Sequence, residues 1–157
     1  MKFVTYLFTA ILVCFFFQSC SSDDSTGGGG EINAELIGTW ELTEINVSEA
    51  IDTNDDGTTT TNLLTEVDCL RDTLILNQNS TWSSVGVFPD LITPITGNLY
   101  SISCSDVVER SGQWEFSGTS LRLAGDLEVV YFFNGSSLTL VVGNDLPGLQ
   151  SLVYMKQ

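Results

Sequence analysis

The sequence predicts an all-β fold, a single up-and-down antiparallel β-barrel of about eight strands. Short segments of alternating apolar and polar residues follow one another closely from residue 38 onward, with turn residues between them. This part of the chain has no convincing long amphipathic helix. Eight or nine short strands at this spacing are typical of a sandwich or a barrel, and consecutive hairpin signals favour an up-and-down barrel. Closure also removes the exposed edges of strands as apolar as residues 129–133, which would otherwise invite aggregation.

Residues 1–19 have the organisation of an export signal. Lys2 supplies a positive start, and residues 3–17 are almost wholly apolar. This run is too short to cross a hydrocarbon core of about 30 Å as a mature helix. We therefore expect residues 1–19 to be a signal peptide that is removed on export.

Residues 17–20, Phe-Gln-Ser-Cys, resemble the lipobox of bacterial lipoproteins. In those proteins a diacylglycerol is attached to the cysteine, and the signal is cut just before it. The resemblance implies that Cys20 carries the lipid and holds the protein to the membrane, at ~0.8 kcal/mol per buried methylene. The lipobox usually has leucine where this chain has Phe17. The alternative is an ordinary signal peptide with a chance cysteine.

Residues 20–33 form the expected lipid anchor and flexible linker ahead of a domain that spans residues 34–157. The serine- and aspartate-rich residues 21–24 resemble the surface-export signal of Bacteroidota lipoproteins. That resemblance implies a bacterial outer-membrane protein exposed at the cell surface. The alternative is a polar spacer. The glycine run 27–30 is a flexible coil under either interpretation.

The charge of the mature chain excludes several partners and chemistries. Removal of the signal takes Lys2 from the five basic residues and leaves all 20 acidic ones. We expect no nucleic-acid partner, because the phosphate backbone would be repelled. The chain has no histidine, the commonest general base. Carboxylates such as Glu109 and Glu115 leave room for an enzyme, but no pattern places them together, and we predict that the protein is not one.

Two of the four cysteines are candidates for a disulfide. Cys14 leaves with the signal and Cys20 takes the lipid, so Cys69 and Cys104 remain in an oxidising compartment. A bond between them would close a long loop and contribute roughly 3–4 kcal/mol in the chain-entropy model. The alternative is a pair of free buried thiols.

The first predicted strand begins at Gly38-Thr39-Trp40, after a short helical turn in residues 31–37. Trp40 and Leu42 share one face, whereas Ile45 and Val47 have the opposite parity. This change of phase predicts a β-bulge near residues 43–44.

An acidic loop follows, and it has the start of a calcium-binding pattern. Asp52, Asn54 and Asp56 offer side-chain oxygens at alternate positions, a glycine follows at position 57, and Thr58 would offer its carbonyl. The twelfth position is Leu63, which has no carboxylate, although Glu66 lies a few residues further on. The alternative is a solvated turn, since these residue types are also common turn formers.

The rest of the chain alternates between strands and turns. Residues 89–96, with two prolines, are predicted to be a loop, and residues 143–148 another. Asn134-Gly135 is the strongest hairpin signal and predicts a type I′ turn, with positive φ at both residues. The remaining predicted strands are residues 72–76, 82–88, 97–103, 112–116, 121–123, 127–133, 138–142 and 149–156.

Several of these segments together resemble a known family. Gly38-Thr39-Trp40 is similar to the G-x-W signature of lipocalins, in which the tryptophan closes one end of an eight-stranded barrel. With the acidic loop, Cys69 and the final residues 153–156, it resembles the lipocalin-like lipoproteins of Bacteroidota, which are mostly without assigned function. Lipocalins often place an arginine of the last strand over the tryptophan, whereas the basic residue here is Lys156.

The resemblance implies a barrel that binds a small apolar ligand in its mouth. Aromatic residues on the strands are the candidates to line such a site, although aromatic residues at period two also fill cores. They are Trp82, Tyr100, Phe116, Tyr131 and Phe133.

A surface interaction module is the alternative function. An acidic, lipid-tethered barrel would then bind a cationic protein or an envelope component through loops 52–62 and 89–96. An internal cavity of ~300 Å³ or more would favour the ligand carrier over the interaction module.

Overall fold

The computed structural model describes residues 33–96, 99–142 and 148–157, with side chains for all of these except residues 91–96 and 99–101. The predicted signal peptide, Cys20, nearly all of the linker and most of the predicted loop 143–148 lie outside these ranges. Within them, no helix has the length and hydropathy needed to span a bilayer.

The described chain is an all-β domain built on a closed eight-stranded antiparallel barrel, as the sequence predicts. The barrel order is β1-β3-β4-β7-β8-β9-β10-β11, and β11 pairs with β1 to close it. The strands are β1 (Gly38–Ile51), β2 (Thr60–Asn62), β3 (Arg71–Leu76), β4 (Thr81–Val87), β5 (Pro89–Thr96), β6 (Leu99–Cys104), β7 (Val108–Ser117), β8 (Ser120–Gly125), β9 (Val129–Phe133), β10 (Ser137–Val141) and β11 (Leu149–Lys156).

Strand β1 closes the barrel because it pairs along both of its edges. Its first residues pair with β3, and residues 40–47 pair with β11. The β1–β11 register shifts between Leu42 and Glu44, which confirms the predicted bulge. The bulge changes the parity of β1, so that Trp40 and Leu42 before it and Ile45 and Val47 after it are all buried.

One end of the barrel is filled by Trp40. Its indole is fully buried, and Nε1 donates a hydrogen bond to the carbonyl oxygen of Leu36, 2.8 Å away, in the turn before β1. Lys156 of β11 lies directly opposite Trp40, and its ammonium lies 5.8 Å from the ring centroid. A cation–π contact of Lys156, the basic residue of the last strand, therefore accompanies the closure of this end.

Residues 89–96 do not form the predicted loop. They are strand β5, which pairs with β6 in a two-stranded sheet inserted between β4 and β7. Prolines are tolerated here because a two-stranded ribbon consists of edge strands, whose outward N–H groups need no ladder partner.

The predicted disulfide between Cys69 and Cys104 is confirmed, with a Cα–Cα distance of 6.5 Å. Cys104 is the last residue of β6, and Cys69 lies just before β3. The bond therefore ties the inserted hairpin to the wall of the barrel.

The Asn134-Gly135 hairpin is confirmed, but its turn differs from the predicted type I′. Gly135 has φ of 97°, whereas Asn134 has no positive φ, and the paired residues Phe133 and Leu138 enclose four residues. The side chain of Asn134 instead accepts hydrogen bonds from the backbone N–H groups of Ser136 and Ser137, at 3.0 and 2.8 Å. This side-chain capping makes a second left-handed residue unnecessary.

Candidate functional site

The candidate site is a cavity of about 360 Å³ inside the barrel. It lies toward the end opposite Trp40, where β4 ends and β7 begins. Its wall is mostly apolar and is built from inward-facing residues of all eight barrel strands, from Pro89 of β5 and from residues between the strands. The apolar lining residues are Ile45, Leu74, Trp82, Phe88, Pro89, Leu123, Leu127, Val129, Leu140, Val142, Leu149, Leu152 and, through their rings, Tyr131 and Tyr154.

Polar groups interrupt this apolar wall. Asp72 of β3, Ser84 of β4 and Arg110 of β7 come from three neighbouring strands, and Tyr131 and Tyr154 come from β9 and β11. Each lies at an inward position of its strand, since inner and outer residues alternate. The register places Arg110 opposite Ser84 and Asp72 opposite Gly86.

Asp72 and Tyr154 form a hydrogen bond inside the barrel. The Tyr154 hydroxyl donates to Oδ2 of Asp72 at 2.8 Å, and both side chains are buried. The other carboxylate oxygen, Oδ1, is also buried and has no hydrogen-bond partner among the described residues. Gly86 makes room for it, because a Cβ at that position would lie 2.5 Å from Oδ1.

Burial has the largest effect on the pKa of the Asp72 carboxyl. It raises the pKa of the Asp72 carboxyl, although the Tyr154 hydrogen bond and the positive charge of Arg110 act in the opposite direction. Burial likewise raises the pKa of Tyr131 to about 12 and the pKa of Tyr154 well above its ordinary value. Both phenols therefore stay protonated at neutral pH and can donate hydrogen bonds.

Arg110 lies over an aromatic ring and makes no ion pair that the described residues show. Its guanidinium carbon is 4.9 Å from the ring centroid of Phe88. Within residues 33–96, 99–142 and 148–157, the sole salt bridge joins Arg122 to Glu115 on the outer surface. Arg110 has the parity of the buried Trp114 on β7, so its strand position points it inward.

The structure divides the aromatic residues that the sequence proposed as ligand contacts. Trp82 and Tyr131 line the cavity. Phe116 and Phe133 do not: their rings stack edge to face at a centroid distance of 6.0 Å, and Phe133 also packs on Trp40. They belong to the filled end because their strands carry them past the cavity toward Trp40. The side chain of Tyr100 lies outside the described residues.

The acidic loop uses its side-chain oxygens to cap its own backbone. Asp52 accepts hydrogen bonds from the N–H groups of Asp55 and Gly57, at 2.8 and 3.0 Å. Asn54 accepts from Asp56, which in turn accepts from the N–H of Thr58 at 2.7 Å. No group of three or more histidine, cysteine or acidic side chains in the described ranges is placed to hold a metal ion. Calcium binding by Asp52, Asn54, Asp56 and Thr58 stays a prediction.

Glu66 approaches the same loop. Its carboxylate accepts a hydrogen bond of 3.2 Å from the N–H of Thr53, and Glu66 and Asp52 are both buried. This contact brings the end of the loop segment back to its start and closes it into a compact unit.

Asp72, Arg110 and Tyr154 were not among the residues that the sequence proposed for the site. A signal for two of them was present: Asp72 has the parity of Leu74 and Leu76, and Arg110 has that of Trp114. A charged residue in register with core positions indicates an inward charge. The pairing of Asp72 with Tyr154, 82 residues apart, has no local signal.

No protein-family model, curated protein or solved structure matches this chain. The resemblance to lipocalin-like lipoproteins therefore stays a prediction.

Proposed function

We propose that this chain is an outer-membrane lipoprotein of the lipocalin-like kind whose barrel binds one small apolar ligand. The cavity is the observation that carries the proposal. Its volume of about 360 Å³ falls within the ~300–1,000 Å³ that is typical of ligand pockets. Most of its wall is apolar, so transfer of an apolar molecule from water into it would be favourable.

The proposed role is binding rather than catalysis. Among the described lining residues the cavity has one carboxylate, and it has no histidine because the chain has none. Two tyrosines whose pKa values are raised by burial are poor bases and poor nucleophiles at neutral pH. They are suited to donate hydrogen bonds to a bound molecule.

The surface interaction module has less support. The loops that it would use are partly occupied, since Asp52 is buried and caps its own loop, and residues 89–96 form a strand of the inserted hairpin. An interior cavity is the feature that favours a carrier.

Cavity-filling variants test the ligand proposal. Val129 lines the cavity, whereas Val130, next to it on β9, is 44% exposed on the outer face. We expect Val129→Phe to abolish binding of an uncharged polarity-sensitive dye, and Val130→Phe to leave its affinity unchanged. Equal affinities in the two variants, or no binding to the parent protein, would contradict the proposal.

The anchor is tested separately at Cys20. We expect metabolic labelling with palmitate to depend on Cys20, and Cys20→Ala to release the protein from the outer-membrane fraction. Added protease should digest the anchored protein on intact cells if the domain faces outward. Retention of Cys20→Ala in the membrane without label would contradict lipid anchoring.

A further inference from the structure

The polar end of the cavity holds one negative and one positive group. Asp72 and Arg110 both line it, on strands separated only by β4. The two side chains have opposite charges, and the charge of Arg110 favours the ionised form of Asp72. A ligand with a net charge would add a buried charge without an opposite charge to compensate it.

The hydrogen bonds of this pair are incomplete. Asp72 is 6% exposed and lines the cavity, yet Oδ1 finds no donor in the described parts of the chain. Leaving a buried acceptor unsatisfied is costly, so such groups are nearly always paired with protein, water or ligand. An O–H or N–H group of a bound molecule would supply the missing donor, after a small rotation of the carboxylate.

The cavity has room for a small molecule. A ligand of about ten non-hydrogen atoms, at ~30 Å³ each, would fit in about 360 Å³. The apolar wall surrounds most of such a ligand, and the polar end has room for one polar group.

Building on the proposed ligand-binding function, we infer that the ligand is an uncharged, mostly apolar molecule with a single hydroxyl or amide group that donates a hydrogen bond to Asp72. Arg110 lies within the same cavity and can donate to the oxygen of that group. Asp72 therefore decides which apolar molecules bind, and the wall supplies most of the affinity.

A matched series of aliphatic probes tests this inference on the mature protein. n-Octanol donates a hydrogen bond, and methyl hexyl ketone, with the same number of non-hydrogen atoms, only accepts. Octylammonium and octanoate carry opposite charges. Calorimetry and the emission of Trp82, which lines the cavity, report binding. We expect octanol to bind about tenfold or more tightly than the ketone, since the ketone leaves the buried acceptor of Asp72 without a donor.

The variant Asp72→Asn checks the assignment to this carboxylate. Asparagine keeps the shape but presents an N–H₂ group, so the ketone should gain affinity and the preference for octanol should disappear. Glu109→Gln is the matched control, because Glu109 is an exposed neighbour of Arg110 on the outer face of β7. It should retain the full preference.

The outcomes separate the inference from the proposed function. Equal binding of octanol and ketone, or tightest binding of a charged probe, would overturn the inference while cavity binding stands. Failure of every probe to bind, with no difference between Val129→Phe and Val130→Phe, would overturn both. The comparison of probes on the parent protein decides the inference even if Asp72→Asn does not fold.

Discussion

The hydroxyl of Tyr154 donates a hydrogen bond of 2.8 Å to Asp72 in the interior of the barrel, across 82 residues of sequence. The bond links the first half of the chain to the last strand at the polar end of the cavity. The carboxyl of Asp72 is buried, and one of its two oxygens has no hydrogen-bond donor among the described residues. Its raised pKa and its hydrogen bond to Tyr154 can each be tested by measuring stability.

The buried carboxyl of Asp72 predicts a specific dependence of stability on pH. Its pKa is raised in the folded protein above the ordinary value of 3.8, so the folded state binds the proton more tightly than the unfolded state. The Asp72 contribution is therefore most favourable below pH ~4 and is lost as pH rises through the folded pKa. Denaturant unfolding should show the parent protein losing stability relative to Asp72→Asn over this window.

The difference between the two proteins isolates this residue from the other acidic groups. A difference in unfolding free energy that does not change with pH would show that the pKa of Asp72 is not raised. A stability advantage of the parent protein that grows as pH rises would show the same.

Removal of the Tyr154 hydroxyl tests the hydrogen bond itself. We expect Tyr154→Phe to lower the free energy of unfolding by about 1–3 kcal/mol at neutral pH, because the buried carboxyl of Asp72 loses its hydrogen-bond donor while the ring still packs. The double variant with Asp72→Asn should cost less than the sum of the two single changes. Strict additivity in that cycle would mean that the two side chains do not interact.

The disulfide predicts a large but separable contribution to stability. We expect replacement of both Cys69 and Cys104 by serine to lower the free energy of unfolding by about 3–4 kcal/mol, since the unfolded chain regains the freedom of a closed loop. The parent protein should lose a similar amount in reductant. The serine variant is the control, and a response of that variant to reductant would trace the effect to something other than this bond.

The acidic loop predicts a response to calcium. If Asp52, Asn54 and Asp56 bind the ion, the melting temperature should rise saturably, by the equivalent of ~2.7 kcal/mol at 100 times the dissociation constant. Chelator should reverse the rise, and Asp56→Ala should abolish it. An unchanged melting temperature in millimolar calcium would leave these oxygens with the backbone capping that the structure shows.

The prediction of the loop at residues 89–96 failed for a physical reason. Two prolines argue against a central strand, and local sequence does not distinguish a loop from an edge ribbon that needs few ladder hydrogen bonds. The predicted turn type at Asn134 was wrong for a similar reason. Asparagine can adopt a positive φ or cap the turn with its side chain, and here it caps the turn.

The local sequence pattern was sufficient to predict the barrel, the bulge in β1 and the disulfide between Cys69 and Cys104. Alternation, turn residues and cysteine number are properties of neighbouring residues or of composition, and they depend on backbone geometry that is the same wherever the segment lies. The export signal and the lipid anchor at Cys20 are predictions of the same local kind.

Closure of the barrel determines which residues meet at the candidate site. Asp72, Arg110 and Tyr154 come from β3, β7 and β11, and their meeting depends on strand register and on which residues take the inner face. The cavity volume is also a property of the whole packing: Phe116 and Phe133 fill one end, whereas no side chain that the structure describes fills the other. Alternation along a strand predicts that a residue points inward, but only the closed sheet determines what it meets there.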